Sequence, residues 1–116
     1  MNGWIGVDLD GTLAEYDGWQ GASNIGKPVP MMIERVKRWL VEGKEVKIFT
    51  ARVSTNNPAK AESEIAITEW CKNHIGAVLQ TTAEKDYGMI ELWDDRCVQV
   101  IPNTGVALQE FMGVSK

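Results

Sequence analysis

The stretch Trp4-Ile5-Gly6-Val7-Asp8-Leu9-Asp10-Gly11-Thr12-Leu13 joins a short apolar run to two aspartates and a glycine. Apolar and β-branched residues follow one another over residues 5–9, which predicts a buried strand that Gly11 ends. Side chains two positions apart on a strand point to the same side. The carboxylates of Asp8 and Asp10 are therefore expected together at the carboxyl end of a central strand, where open α/β sheets bind ligands.

Two carboxylates this close repel one another, by roughly 4 kcal/mol for unit charges about 4 Å apart at an effective dielectric constant of about 20. A shared proton or a bound cation would offset that repulsion. The alternative is a solvated turn in which aspartate is favoured for its turn hydrogen bonds. An EF-hand loop is excluded, because it would need a glycine at the position of Leu13.

Length and composition restrict the class of protein. The chain has 116 residues, of which 44% are hydrophobic and 24% charged, which predicts one globular domain over residues 1–116. No apolar run is long enough to span a membrane and no signal peptide is evident, so we expect a cytoplasmic protein without a membrane partner. The net charge of −4 disfavours general affinity for nucleic acid. Cys71 and Cys97 form no CxxC pair, which argues against a disulfide framework or a zinc knuckle.

Hydrophobic spacing and turn residues divide the rest of the chain into alternating helices and strands. We expect helices over 30–42, 58–74 and 106–112, and strands over 45–49, 77–80, 89–93 and 97–101. With the first strand, this pattern predicts an α/β fold with a mainly parallel, five-stranded sheet. The glycine- and proline-rich residues 14–30 are expected to be either a pinned surface loop or a flap that helps select the substrate.

Polar residues follow three of the later predicted strands. Thr50-Ala51-Arg52 comes directly after the strand at 45–49, and Lys85 lies just beyond the strand at 77–80. Asp94-Asp95 ends the apolar run at 89–93. Each of these segments therefore falls at a predicted strand end or just beyond it.

The segment after the first predicted strand, Asp8-Leu9-Asp10-Gly11-Thr12-Leu13, resembles a motif of the haloacid dehalogenase (HAD) superfamily of phosphohydrolases. It matches the first motif of that family, Asp-x-Asp-Gly-Thr-Leu. Thr50, Lys85 and Asp94-Asp95 follow in the order of the second, third and fourth motifs of that family. The resemblance covers about residues 4–102 and is nearest to small, capless members. It implies a Rossmann-like three-layer α/β sandwich without a large cap domain.

The resemblance further implies a Mg²⁺-dependent phosphomonoester hydrolase that acts through an aspartyl-phosphate. Asp8 would be the nucleophile, and Asp10 would be first the general acid and then the general base. The ion would be held by Asp8, the Asp10 backbone carbonyl, Asp94 and Asp95. Oxygen ligands without His or Cys suit Mg²⁺.

The phosphate of the substrate would be bound by residues around these acids. The Thr50 hydroxyl would bind a phosphate oxygen, and Lys85 would neutralise the nucleophile and the phosphate. Arg52 can add a bidentate anion contact, or it can be a surface charge. The full expected phosphate-binding set is Asp8, Gly11, Thr50, Ala51, Arg52 and Lys85.

One departure from the family pattern leaves alternatives open. Only residues 86–88 separate Lys85 from the next predicted strand, where the family inserts a helix, so the placement of Lys85 is open.

The favoured substrate is a small-molecule phosphate ester. The alternatives are a polynucleotide end-phosphatase that grips a backbone through Arg52, Lys27 and Arg96, and a catalytically silent metal- and phosphate-binding module. Oligomeric state is not predicted.

Overall fold

The computed structural model describes residues 3–113, so both ends of the predicted 1–116 domain, 1–2 and 114–116, lie outside the described residues. Four strands form one sheet with the spatial order β3-β2-β1-β4, and every pairing is parallel. The strands are β1 (Trp4–Asp8), β2 (Glu45–Phe49), β3 (Gln80–Thr82) and β4 (Met89–Trp93). The helices are α1 (Pro30–Val41), α2 (Lys60–His74) and α3 (Leu108–Phe111), with a 3₁₀ turn at Ala51–Val53.

Both long helices pack on one face of the sheet. Ile5 and Val7 of β1 join a single core cluster with Val46 and Ile48 of β2. The same cluster takes in Met32, Ile33, Val36 and Trp39 of α1 and Ile67, Trp70 and Cys71 of α2. Right-handed crossovers that step in one direction, from β1 to β2 to β3, place their helices on the same side.

The opposite face has no long helix among residues 3–113, so the third layer of the expected sandwich is missing there. The Trp4 indole lies over this face against Gly6, with the Lys47 ammonium 4.6 Å from its ring centroid. Its N–H donates to Asp86 at 2.9 Å, within the short loop that joins β3 to β4. A single buried tryptophan therefore covers part of the face that a helix would otherwise cover.

The predictions for α1, β2 and β4 are confirmed, and β1 is found one residue earlier than expected. Pro30 starts α1, where its missing N–H costs no helical hydrogen bond. The helix at 58–74 instead begins at Lys60, because the Asn57 side chain accepts the Ala59 N–H and holds the preceding residues in a turn.

The prediction of five strands is wrong: within residues 3–113 the sheet has four. Residues 97–101 make only an isolated bridge from Val100 to Ala107, and Val98 and Val100 stay exposed, so nothing buries this apolar run into a sheet. The strand expected at 77–80 lies at Gln80–Thr82 instead, since pairing with Lys47–Phe49 fixes its register. The last helix is shorter than the expected 106–112.

The 14–29 loop is closed at its base and attached to α2. Ala14 bridges to Pro28, and the Glu15 N–H donates to the Lys27 carbonyl at 2.8 Å. The Trp70 indole N–H donates to the Gly26 carbonyl at 3.0 Å. The loop is thus held in one place beside the carboxyl edge of the sheet.

Within residues 3–113, we find no helix with both the length and the apolar character needed to cross a bilayer.

Candidate active site

Three carboxylates meet at the carboxyl edge of the sheet. Val7 of β1 pairs with Trp93 of β4, so Asp8, the last residue of β1, and Asp94, which directly follows β4, emerge side by side. One carboxylate oxygen from each of Asp8, Asp94 and Asp95 lies within 4.8 Å of the other two. The structure therefore brings together the three carboxylates that the sequence predicts as metal ligands. The fourth predicted ligand is the backbone carbonyl of Asp10, whose carboxylate binds Arg52.

Burial and mutual repulsion oppose full ionisation of the three carboxylates. The pKa of Asp8 rises to about 7, first because the group is buried, then because it shares a hydrogen bond with Asp95 and faces the charges of Asp94, Asp95 and Asp10. Burial also opposes ionisation of Asp95, but hydrogen bonds with Asp8 and Thr12 outweigh it and lower the pKa of Asp95. A proton or a cation is needed to neutralise this site.

Gly11 and Thr12 fix the position of Asp95. The Thr12 hydroxyl donates to Asp95 Oδ1 at 3.1 Å and accepts the Asp95 backbone N–H at 3.0 Å. Gly11 has φ +91°, and a Cβ at this position would lie 2.5 Å from Asp95 Oδ2. The Gly11 N–H donates to the Ala14 carbonyl at 2.8 Å, which gives it a structural contact in place of the expected phosphate contact.

Asp94 is held by a local turn. Its Oδ1 accepts the backbone N–H of Arg96 at 2.8 Å, and its side chain is partly buried. Each oxygen of a carboxylate can accept more than one hydrogen bond, so this contact leaves acceptor capacity towards Asp8 and Asp95.

Arg52 is buried and bound to Asp10. Its Nε donates to Asp10 Oδ2 at 2.8 Å and its Nη2 donates to Asp10 Oδ1 at 2.9 Å. The guanidinium also donates to the Ala22 and Asn24 carbonyls of the 14–29 loop, at 3.3 and 3.0 Å. The Trp19 ring centroid lies 4.8 Å from its central carbon.

These contacts give Arg52 a different role from the phosphate contact that the sequence suggests. Its side chain is 5% exposed, and the four hydrogen bonds that it donates within the protein use most of its N–H groups. Arg52 therefore links the carboxylate of Asp10 to the 14–29 loop.

A cavity of about 270 Å³ opens over these acids. Asp8, Asp10 and Asp95 line it together with Thr50 and Ala51. Its wall also includes Tyr16, Trp19, Asn57 and Arg96. The sequence does not predict Asn57 as a wall residue, because its place there depends on the hydrogen bond that its side-chain amide donates to the Arg52 carbonyl at 2.7 Å.

Thr50 and Lys85 differ in their surroundings. Thr50 is buried, and its hydroxyl oxygen accepts the Arg52 backbone N–H at 3.2 Å, which leaves the hydroxyl hydrogen available to a ligand. Lys85 is exposed in the loop after β3. It makes no ion pair or hydrogen bond with the part of the chain that the structure describes, and it is not on the cavity wall.

A conserved protein coded by a locus of Bacteroides thetaiotaomicron has a similar structure. The TM-score is 0.59 at 23% sequence identity, and the match covers 86% of this chain and 81% of that chain. At this identity the likeness shows the fold alone. The sequence matches no protein-family model and no curated protein.

Proposed function

We propose that the chain is a Mg²⁺-dependent phosphomonoester hydrolase of the HAD type, with Asp8 as the nucleophile. The observation that carries this proposal is the meeting of Asp8 with Asp94 and Asp95, whose carboxylate oxygens come within 4.8 Å of one another from two adjacent strands. The order of the four sequence motifs supports the same reaction. All four motifs begin at the last residue of a strand of the parallel sheet or within a few residues after it, which supports a shared site.

The residues present fit a magnesium ion. Mg²⁺ takes oxygen ligands at about 2.0–2.1 Å, so ligands on opposite sides of the ion lie about 4.2 Å apart. The Asp8, Asp94 and Asp95 oxygens all lie within 4.8 Å of one another, an upper limit only slightly above that distance. When bound, the ion would supply positive charge that offsets the repulsion between Asp8 and the phosphate.

The reaction then proceeds in two displacements on phosphorus. An oxygen of Asp8 attacks the phosphorus, the bond to the leaving oxygen breaks, and Asp10 gives that oxygen a proton. Asp10 next takes a proton from water, which attacks the aspartyl-phosphate and releases inorganic phosphate and free Asp8. Over one turnover, Asp10 therefore gives one proton and takes one back.

The neighbours of these acids have distinct tasks. Arg52 orients Asp10 while leaving each of its oxygens a lone pair for the proton. The Thr50 hydroxyl donates to a phosphoryl oxygen from the cavity wall. The order of the motifs assigns the neutralisation of the transferring phosphoryl group to Lys85, although its side chain is not on the cavity wall.

The test is hydrolysis of p-nitrophenyl phosphate by the purified protein, with Mg²⁺ and with EDTA. Asp8→Asn is expected to abolish turnover while the protein stays folded. The control is Glu34→Gln, which removes an exposed acid of α1 that makes no described ion pair and lies outside both cavities. Full turnover in the Asp8→Asn protein would overturn the proposal.

A catalytically silent binding module remains the second candidate, because Lys85 is not on the cavity wall. Calorimetry that finds Mg²⁺ and phosphate binding without turnover on a broad substrate panel would favour it. The polynucleotide alternative loses support, because Arg52 is already bound to Asp10 and to the 14–29 loop.

A further inference from the structure

Trp19 is an exposed tryptophan on the wall of the proposed active site. It is 56% exposed, although tryptophan is usually well buried, and it lines the same cavity as Asp8 and Asp10. No packing partner among the described aromatic residues explains its position. An exposed indole beside reactive groups is suited to contact a ligand.

The indole is held from behind. The Arg52 guanidinium lies 4.8 Å from the ring centroid, and Arg52 is itself fixed by Asp10 and by the Ala22 and Asn24 carbonyls. A cation over one face of an aromatic ring attracts it electrostatically. Because Arg52 is buried, the exposed part of Trp19 is its other face and its edges.

A second aromatic residue and additional space lie next to Trp19. Tyr16 is 46% exposed and lines the active-site cavity as well as a neighbouring cavity of about 330 Å³. Arg52 is also shared by the two cavities. Ligand pockets typically measure about 300–1,000 Å³, so the two spaces together can hold a phosphate and a bulky leaving group.

We propose that the phosphate ester taken by this site is a nucleoside monophosphate whose base stacks on Trp19, an inference that rests on the proposed function. The cavity supplies an aromatic surface beside Asp8, and every nucleobase has a face that can stack on it. The neighbouring cavity is lined by two acids, Glu15 and Asp17, and by Lys27, while its Arg52 is already paired with Asp10. It therefore offers no net positive charge to a nucleic-acid backbone, which favours a mononucleotide over a strand.

The first experiment compares kcat/KM for a nucleoside 5′-monophosphate with that for ribose 5-phosphate, which lacks the base. Stacking worth about 1–3 kcal/mol corresponds to a preference of roughly 5- to 150-fold for the nucleotide. Trp19→Ala is expected to reduce that ratio towards one, and Trp19→Phe is expected to keep most of it. The control is Tyr87→Ala, a fully exposed aromatic outside both cavities, which should leave the ratio unchanged.

The second experiment separates this inference from the proposed function. Calorimetry on the Asp8→Asn protein measures binding of the same two compounds without consuming them. Trp19-dependent binding of the nucleotide without any turnover by the wild type would support the inference and overturn the proposed hydrolase. Hydrolysis of both compounds with equal kcat/KM, or a ratio that Trp19→Ala leaves intact, would overturn the inference alone.

Discussion

Arg52 binds both carboxylate oxygens of Asp10, with N–O distances of 2.8 and 2.9 Å. The same guanidinium donates to two carbonyls of the 14–29 loop. One buried side chain therefore sets the position of the proposed general acid and the position of the loop that carries Trp19. A change in either is expected to affect the other.

Arg52→Met is expected to lower the free energy of unfolding by about 3 kcal/mol, because it leaves Asp10 and two loop carbonyls without their donors. Urea denaturation measures this loss. Lys44→Met is the control, since it breaks only the surface pair with Glu42 and should cost less than about 1 kcal/mol. Adding Asp10→Asn to Arg52→Met should cost little more, and strictly additive losses would contradict the pairing.

Gly11→Ala is expected to displace Asp95 and weaken Mg²⁺ binding, because the new Cβ would lie 2.5 Å from Asp95 Oδ2. Gly43→Ala is a matched control: Gly43 also has a positive φ, of +81°, but no atom lies within 4 Å of its Cβ position. Each substitution should cost roughly 1–2 kcal/mol in backbone strain. Calorimetry with Mg²⁺ should find reduced affinity only for Gly11→Ala, and equal affinities would contradict the packing of Asp95 on Gly11.

Stability without metal is expected to fall as the pH rises through the titration of Asp8. The pKa of Asp8 is raised from 3.8 to about 7, so between these values the folded protein keeps a proton that the unfolded chain has released. This contribution to the free energy of unfolding is present in full below the unfolded pKa and is lost once the pH exceeds the folded one. In EDTA, urea denaturation from about pH 4 to about pH 8 should find a stability advantage of Asp8→Asn over wild type that grows with pH. Parallel curves for the two proteins would contradict the raised pKa.

Magnesium is expected to stabilise the protein in a way that depends on Asp94 and Asp95. A ligand at about 100 times its Kd adds about 2.7 kcal/mol to the free energy of unfolding. Asp94→Asn or Asp95→Asn should reduce the rise in Tm on addition of Mg²⁺, and EDTA should reverse the rise in wild type. Glu62→Gln, an exposed acid of α2, is the control and should keep the full rise. A full rise in the Asp94→Asn, Asp95→Asn double variant would place the metal elsewhere.

Lys85→Met is expected to lower kcat/KM by about 10²-fold without changing Tm, because Lys85 is exposed and makes no ion pair with the described residues. Lys72→Met, an exposed lysine within α2, should change neither quantity. Arg96 lines the cavity and is a second candidate for this role. Unchanged turnover in Lys85→Met together with a large loss in Arg96→Met would transfer the role to Arg96.

Much of what positions the site could be predicted from the sequence. The apolar runs that end at Asp8, Thr50 and Asp94 are short and sharply broken, so their strands were found within a residue of their observed bounds. The family resemblance predicts that Asp8 and Asp94 approach one another, and the parallel pairing of β1 with β4 brings them together.

The rest depends on contacts that local sequence does not specify. The run at 97–101 has the composition of a strand but lacks a partner to bury Val98 and Val100. Arg52 has the same sequence context whether it faces a phosphate or Asp10. Its actual partner depends on the path of the 14–29 loop, which brings the Ala22 and Asn24 carbonyls to the guanidinium.

The pairing of β1 with β4 has a consequence for how the protein assembles. Asp8 belongs to the first strand of the chain and Asp94 follows the last, so the acidic cluster can form only after a long-range closure between them. A refolding intermediate that pairs β1 with β2 alone would have no place to bind a divalent ion. Recovery of metal affinity during refolding should therefore be among the last events, and it would time the closure of the sheet.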